Sequence, residues 1–131
     1  MRTYADYKDF ESFGMTPAME ESEAVECLRT ASICVNSVCF GRIERYFEQF
    51  PEKTKEMVKE ATLLQANFYH SNKELFEMNL KSYSVAGVSI ALETPKGACE
   101  ISGNIVESQA VGLLRSCGLM SQNFGWYRGL M

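Results

Sequence analysis

The sequence predicts a mainly α-helical fold: a small bundle of three to four helices with one β-hairpin and a C-terminal tail, in a single domain over residues 1–131. A chain of 131 residues is long enough for one hydrophobic core and too short for two. Its three prolines and nine glycines leave room for long regular segments. Most of the chain carries apolar residues at helical spacing, and one stretch alternates apolar with small residues, as a strand does.

The N-terminal arm, residues 1–15, has an aromatic residue at every third position: Tyr4, Tyr7, Phe10 and Phe13. This spacing is compatible with one apolar face of a short helix. Two interpretations follow. The segment either packs on the core of its own domain or docks on a neighbouring subunit.

The first long helix is predicted to begin at Thr16, which can serve as N-cap, with Pro17 in the first helical position. Gly41 is a plausible stop because glycine accepts the left-handed conformation that follows many helices. The apolar stripe between them is spaced by three, three, four and three residues. It consists of Val25, Leu28, Ala31, Val35 and Val38.

A second long helix is predicted to open at Pro51, after a connector at residues 42–50, and to run to about Ser71 and Asn72. We expect it to pack antiparallel on the first helix. Its stripe is Met57, Ala61, Leu64 and Phe68, flanked by Val58 and Gln65.

The hydropathy period changes to that of a strand in residues 81–93, with Ala86 and Gly87 as the tight turn of a β-hairpin. A last helix is predicted over residues 106–117 and is ended by Gly118. Residues 119–131 form the C-terminal tail. Because a two-stranded hairpin is barely stable alone, it should lean on the helices or on a partner.

The net charge of −4 and the pI of about 5.1 argue against a protein that coats DNA or an anionic membrane. No apolar run approaches the ~18 residues of a membrane helix, and the N-terminus lacks the apolar core of a signal peptide. The five cysteines are odd in number and do not have the spacing of a disulfide framework. These features predict a protein that is made and kept in the cytosol, without membrane contact.

Candidate catalytic residues are few. Cys27, Cys34 and Cys39 lie on the first helix without a Cys-x-x-Cys or zinc spacing, which favours buried apolar roles. His70 is the single histidine, and we expect it to cap the C-terminal end of the second helix. Nucleophile-elbow, phosphate-binding and dinucleotide motifs are absent from the sequence. We therefore expect no enzyme activity, no cofactor and no metal.

The tail has the composition of an interface anchor, because aromatic residues and arginine are enriched where proteins bind partners. It either folds back on its own core or inserts into a partner. The candidate partner-binding residues are Leu119, Met120, Phe124, Trp126, Tyr127 and Arg128 of the tail, with Tyr83 and Val85 of the hairpin.

Several phrases, taken in order, resemble the head–tail connector (head-completion) proteins of long-tailed bacteriophages and prophages. The first is Phe-Gly-Arg-Ile at residues 40–43, followed by a Lys/Glu-rich helix that ends in an Ala/Gln/aromatic phrase at 61–69. The others are the hairpin phrase at 82–90, the terminal helix at 110–114, and the short phrases at 118–120 and 127–129. The chain departs from the family at Ser108, where proline is frequent, and by extra residues at 121–126.

The resemblance implies a structural protein of the virion neck. Its subunits would form a ring on the phage portal protein, extend the DNA channel without binding DNA specifically, and present a surface to the next neck or tail protein. A ring requires a heterologous interface between two different patches of each subunit. The alternatives are another neck or tail-completion protein or a general protein–protein adaptor. A thiol-based redox sensor would instead require a reactive cysteine of low pKa.

The first test concerns Trp126. We expect Trp126→Ala to weaken portal attachment while leaving the thermal unfolding of the isolated domain unchanged, since an interface anchor contributes to binding and not to folding. A loss of several kcal/mol of folding stability would place the side chain in the core and contradict its assignment to a partner.

Overall fold

The computed structural model describes residues 3–73, 97–101 and 104–121. Within these ranges the chain forms five α-helices, one 3₁₀ turn and one two-stranded antiparallel sheet. The elements are α1 (Tyr7–Ser12), α2 (Glu21–Val38), α3 (Arg42–Tyr46), a 3₁₀ turn (Phe47–Gln49), α4 (Glu52–Ser71), β1 (Ala98–Ile101), β2 (Asn104–Glu107) and α5 (Ser108–Ser116). This confirms the predicted fold class, a small helical protein with one β-hairpin.

Helix α4 is the central element, because it packs on α2, on α5 and on β2. Its C-terminal end lies beside the start of α2, where His70 Nδ1 is 3.1 Å from Glu23 Oε2. The two long helices are therefore antiparallel, as predicted. Because α4 is contacted on several sides, its most buried residues differ in part from those of the predicted stripe. Val58 and Gln65 are fully buried, whereas Met57 and Leu64 are only partly so.

The start of α2 differs from the prediction, because the helix begins at Glu21 and not at Thr16 and Pro17. The side chain of Asn67 on α4 explains the difference. Its Nδ2 donates to the Thr16 carbonyl at 3.1 Å, and its Oδ1 accepts from the Ala18 amide at 2.8 Å. These bonds hold the segment in a non-helical path. Val25, predicted as core, is 67% exposed, and Ala24 is buried in its place.

The N-terminal segment packs on the core of its own domain, which was the first of its two interpretations. Tyr4 and Phe10 are buried. The Tyr4 amide donates to Ser32 Oγ at 3.1 Å, its hydroxyl donates to Glu44 Oε2 at 2.8 Å, and its ring stacks on Phe47. Contacts between residues so far apart in sequence make this segment a part of the bundle.

The described hairpin lies at residues 98–107, where no strand was predicted, whereas the predicted hairpin at 81–93 lies outside the described residues. Val106 was expected to open the last helix but pairs with Cys99 in the sheet. Helix α5 starts at Ser108 because the Glu107 carboxylate accepts from the amides of Gln109 and Ala110 at 3.1 and 3.2 Å, which makes Glu107 the N-cap.

The hairpin is fixed to the bundle by the buried side chain of Gln65. Its Nε2 donates to the Ile105 carbonyl at 3.0 Å, and its Oε1 accepts from the Glu107 amide at 2.8 Å. A neighbouring strand would make the same two bonds, so the amide occupies the free edge of β2. Ile105 and Val106 are buried as a consequence.

We expect Gln65→Ala to lower the free energy of unfolding by about 2–4 kcal/mol, because it leaves the buried Ile105 carbonyl and the partly buried Glu107 amide without their partner. Urea unfolding measures this change. Gln109→Ala, at an exposed position of α5, is the matched control and should change stability by less than about 0.5 kcal/mol. Equal effects of the two substitutions would contradict the role given to Gln65.

Candidate interaction surface

The turn between α2 and α3 presents an aromatic side chain to solvent. Phe40 and Gly41 both have left-handed backbone conformations, with φ of 60° and 74°. The Gly41 amide donates to the Asn36 carbonyl at 2.8 Å, and the Phe40 amide donates to the Ser37 carbonyl at 3.1 Å. This is the bonding of a Schellman motif, in which Phe40 occupies the position usually taken by glycine.

Asn36 accepts a second hydrogen bond, through its side chain, which makes the turn rigid. Asn36 Oδ1 accepts from the Glu44 amide at 2.9 Å and so ties the end of α2 to the first turn of α3. The prediction that Gly41 adopts the left-handed conformation after α2 is thus confirmed. Phe40 adopts it as well, at a steric cost of roughly 1–2 kcal/mol for a residue with a Cβ.

Phe40 nevertheless remains 56% exposed, so its ring does not offset this cost by burial in the core. The guanidinium of Arg42 lies over the ring, 4.7 Å from its centroid. Such a contact at an exposed site contributes about 0.5–1 kcal/mol. An aromatic ring and an arginine held side by side on a rigid turn have the chemistry of an interface anchor.

Arg42 also ties this turn to the C-terminal segment. Its Nη1 donates to the Leu119 carbonyl at 3.0 Å and to the Ser121 carbonyl. The chain therefore leaves α5 and begins its tail next to the C-terminal end of α2.

The predicted partner-binding residues are divided by the structure. Leu119 is fully buried in the hydrophobic core with Ile43 and Leu114, so packing on its own chain replaces the expected partner contact. Met120 is half-buried and packs against that core. Six further candidates lie outside the described residues: Phe124, Trp126, Tyr127, Arg128, Tyr83 and Val85.

The exposed large apolar residues of the described part of the chain are Val25, Ile33 and Phe40, none of which was among those candidates. Helical spacing placed Val25 in the core and gave no reason to single out Ile33. For Phe40 a signal was present. A large aromatic residue directly before the glycine that ends a helix has few helical neighbours against which its ring can pack.

His70 lies in the last turn of α4, as predicted, and forms a histidine–carboxylate pair with Glu23. The candidate nucleophile nearest to this pair is the thiol of Cys27, one helical turn after Glu23. Burial raises the pKa of the Cys27 thiol, and the Glu23 and Glu26 carboxylates raise it further. A thiol whose pKa is raised is a poor nucleophile at neutral pH. The arrangement therefore gives no support to cysteine-based catalysis.

Three other cysteines of the core also have thiols whose pKa is raised. All five cysteines are free. Burial raises the pKa of Cys34, Cys39 and Cys117 above its ordinary value. A redox sensor requires the opposite, a thiolate that is stabilised and accessible. The redox alternative therefore finds no support in these residues.

Among residues 3–73, 97–101 and 104–121, no group of three His, Cys, Asp or Glu side chains could hold a metal ion, and no helix is long and apolar enough to cross a membrane. Comparison of the whole chain with protein-family models, with curated proteins and with solved structures finds no match.

The buried thiols predict a stability that falls in alkali. Above pH 9, the ordinary thiol pKa, an unfolded thiol loses its proton while a buried one keeps it, so rising pH favours unfolding. Between pH 8 and 10 the Cys39 thiol should lower the free energy of unfolding by about 1.4 kcal/mol. Urea unfolding under reducing conditions measures this, and Cys39→Ala should remove that decrease. An unchanged slope in that variant would contradict the burial of the Cys39 thiol.

Proposed function

We propose that this chain is a structural subunit of a bacteriophage or prophage neck, a head–tail connector that assembles as a ring on the portal and joins the capsid to the next neck or tail protein. The observation that carries the proposal is Phe40: an exposed aromatic residue held in a left-handed conformation on a rigid turn. It lies in the Phe-Gly-Arg-Ile phrase on which the resemblance to connector proteins begins.

The energetics favour a binding role for this residue. For folding alone, glycine or asparagine would suit the position better, because neither carries the same steric cost in the left-handed region. We therefore infer that the exposed Phe40 ring serves binding and not the folding of the monomer. Its fixed backbone and the guanidinium above it reduce the entropy that would be lost on binding, which makes it a preorganised anchor.

Other features are compatible with a structural subunit. The long antiparallel helices and the clamped hairpin form a rigid body, and Arg42 joins the anchor to the start of the tail. The charge of −4 disfavours adhesion of DNA to a channel that the ring would extend. In this proposal the protein acts in the virion neck, after assembly in the bacterial cytoplasm.

The decisive experiment is to sequence the DNA that flanks the gene and to purify the portal protein it encodes. Portal and capsid genes on one side, with tail genes on the other, would support the proposal. Binding of this chain to that portal, measured by sedimentation, would then establish the partner. A flanking metabolic or regulatory operon would contradict a connector function.

Phe40→Gly separates binding from folding. Because relief of the left-handed strain offsets the lost cation–π contact, we expect the free energy of unfolding to change by no more than about 1 kcal/mol. Portal binding should weaken at least tenfold, as for an anchor residue worth more than about 1.4 kcal/mol. Thermal unfolding and portal sedimentation give the two measurements.

Ile33→Gly is unsuitable as a control because glycine weakens a helix interior. Ile33→Ala, which shortens an exposed apolar side chain of α2 away from the turn, is the matched control and should leave portal binding unchanged. If Phe40→Gly lowers the free energy of unfolding by about 3–5 kcal/mol, the ring is part of the core. If it leaves portal binding intact, the anchor role is wrong.

A further inference from the structure

A cleft of about 330 Å³ lies between the N-terminal segment and the first turns of α2. Its apolar lining includes Ala5, Leu28 and the exposed Val25, and Asp6 and Glu21 also line it. A closed apolar cavity of about 150 Å³ is large enough for benzene. This open cleft therefore has room for an aromatic ring with a second group beside it.

The surroundings of the cleft are acidic. Residues 3–29 contain two basic residues, Lys8, which lines the cleft, and Arg29. The same range contains seven acidic residues: Asp6, Asp9, Glu11, Glu20, Glu21, Glu23 and Glu26. An excess of carboxylates favours a ligand that combines an apolar group with a positive charge and disfavours a nucleic acid.

The opposite end of α2 presents that combination on a rigid turn. The Phe40 ring is 56% exposed, and the guanidinium of Arg42 lies over it, 4.7 Å from its centroid. Because hydrogen bonds to Asn36 fix the turn on both sides of Phe40, the ring and the positive charge keep their spacing. The turn and the cleft are thus complementary in hydrophobicity and in charge.

The two patches cannot meet within one molecule. Val25 lies 13 residues before Val38, the last residue of α2, and this corresponds to about 20 Å along the helix. The continuous helix fixes that distance, and Phe40 is not among the residues that line the cleft of its own chain. The Phe40 ring can therefore enter only the cleft of another copy.

We propose that the Phe40 ring of one copy binds in the Val25 cleft of the next copy, with the charge of Arg42 facing Asp6 and Glu21. The inference names the partner of the Phe40 anchor and rests on the proposed function, in which copies of the chain form a ring. Because the two patches lie at opposite ends of α2, the contact is heterologous. Repeated around an axis, such a contact closes a ring.

The contact between two free copies should be weak. A phenylalanine side chain buries about 150–250 Å², much less than the roughly 1,200 Å² of a stable complex. In a closed ring each copy makes two such contacts, and the ring binds the portal through many copies at once, which raises the overall affinity. Loss of the Phe40 ring would therefore weaken portal attachment as well.

Photo-crosslinking detects a weak contact in the full chain without the portal. Benzoylphenylalanine in place of Phe40 keeps an aromatic ring at this position and, on irradiation, bonds to groups within reach. A mixture of nitrogen-15-labelled and unlabelled chains should give mixed covalent dimers. Mass spectrometry should locate their cross-links in residues 3–8 and 21–28 of the second copy. Benzoylphenylalanine in place of Ile33, an exposed residue outside the cleft, is the matched control and should give no such cross-link.

A substitution in the cleft provides the second measurement. Val25→Arg places a long cationic side chain in the cleft and should lower the yield of the cross-link from position 40 at least tenfold. Ile33→Arg, on the same helix but outside the cleft, should leave the yield unchanged. Circular dichroism and thermal unfolding confirm that the variants are folded before irradiation.

The outcomes separate this contact from the connector function. Equal yields from Val25→Arg and Ile33→Arg, or no cross-link to the cleft at millimolar concentration, would overturn the contact. A cross-link that forms only in a chain carrying Trp126→Ala would assign the cleft to the tail and would also overturn it. Portal binding by the unmodified chain would then retain the connector proposal. A cross-link that depends on Val25, together with no binding to a portal, would retain the self-contact and remove the proposed partner.

Discussion

The buried side-chain amide of Gln65 joins three parts of the fold, which are helix α4, the β-hairpin and helix α5. Its two hydrogen bonds to β2 fix the hairpin against α4, and the same strand ends at Glu107, whose carboxylate caps α5. A buried amide is stabilising only when its groups are satisfied, because an unpaired one carries a large desolvation cost. Gln65 therefore makes the position of the hairpin specific, whereas an apolar residue would permit several registers.

The arrangement of α2 against α4 gives the molecule two different ends. At one end, Asn67 and the His70–Glu23 pair join the start of α2 to the end of α4, and the acidic N-terminal segment packs alongside. At the other end, the rigid Phe40 turn and the start of the tail are joined by Arg42. A subunit whose opposite ends differ in charge and shape is suited to head-to-tail assembly, because a heterologous contact needs two unlike patches.

Backbone strain and an exposed aromatic ring coincide in one turn, whereas the core is well satisfied. Gln65 illustrates the second point, since both ends of its buried amide are hydrogen-bonded to β2. Phe40 illustrates the first, since its backbone conformation and its exposed ring both oppose folding stability. Local features that oppose stability while their surroundings favour it are typical of binding residues.

Local patterns in the sequence determined a large part of this fold. Apolar residues at helical spacing gave the two long helices and the end of α4, and the glycine at position 41 gave the end of α2. These are predictable because helical bonding and the left-handed preference of glycine act between residues near in sequence. The fold class followed from them.

Contacts between distant residues decided the rest. Asn67 moved the start of α2, contact on several sides of α4 buried Gln65 and left Met57 half-buried, and pairing with Cys99 made Val106 part of a strand. The candidate sites show the same division. Composition pointed to an aromatic tail, but burial of Leu119, exposure of Phe40 and the cleft beside Val25 depend on which surfaces meet. Hydropathy spacing contains no information on those partners, because they come from other parts of the chain.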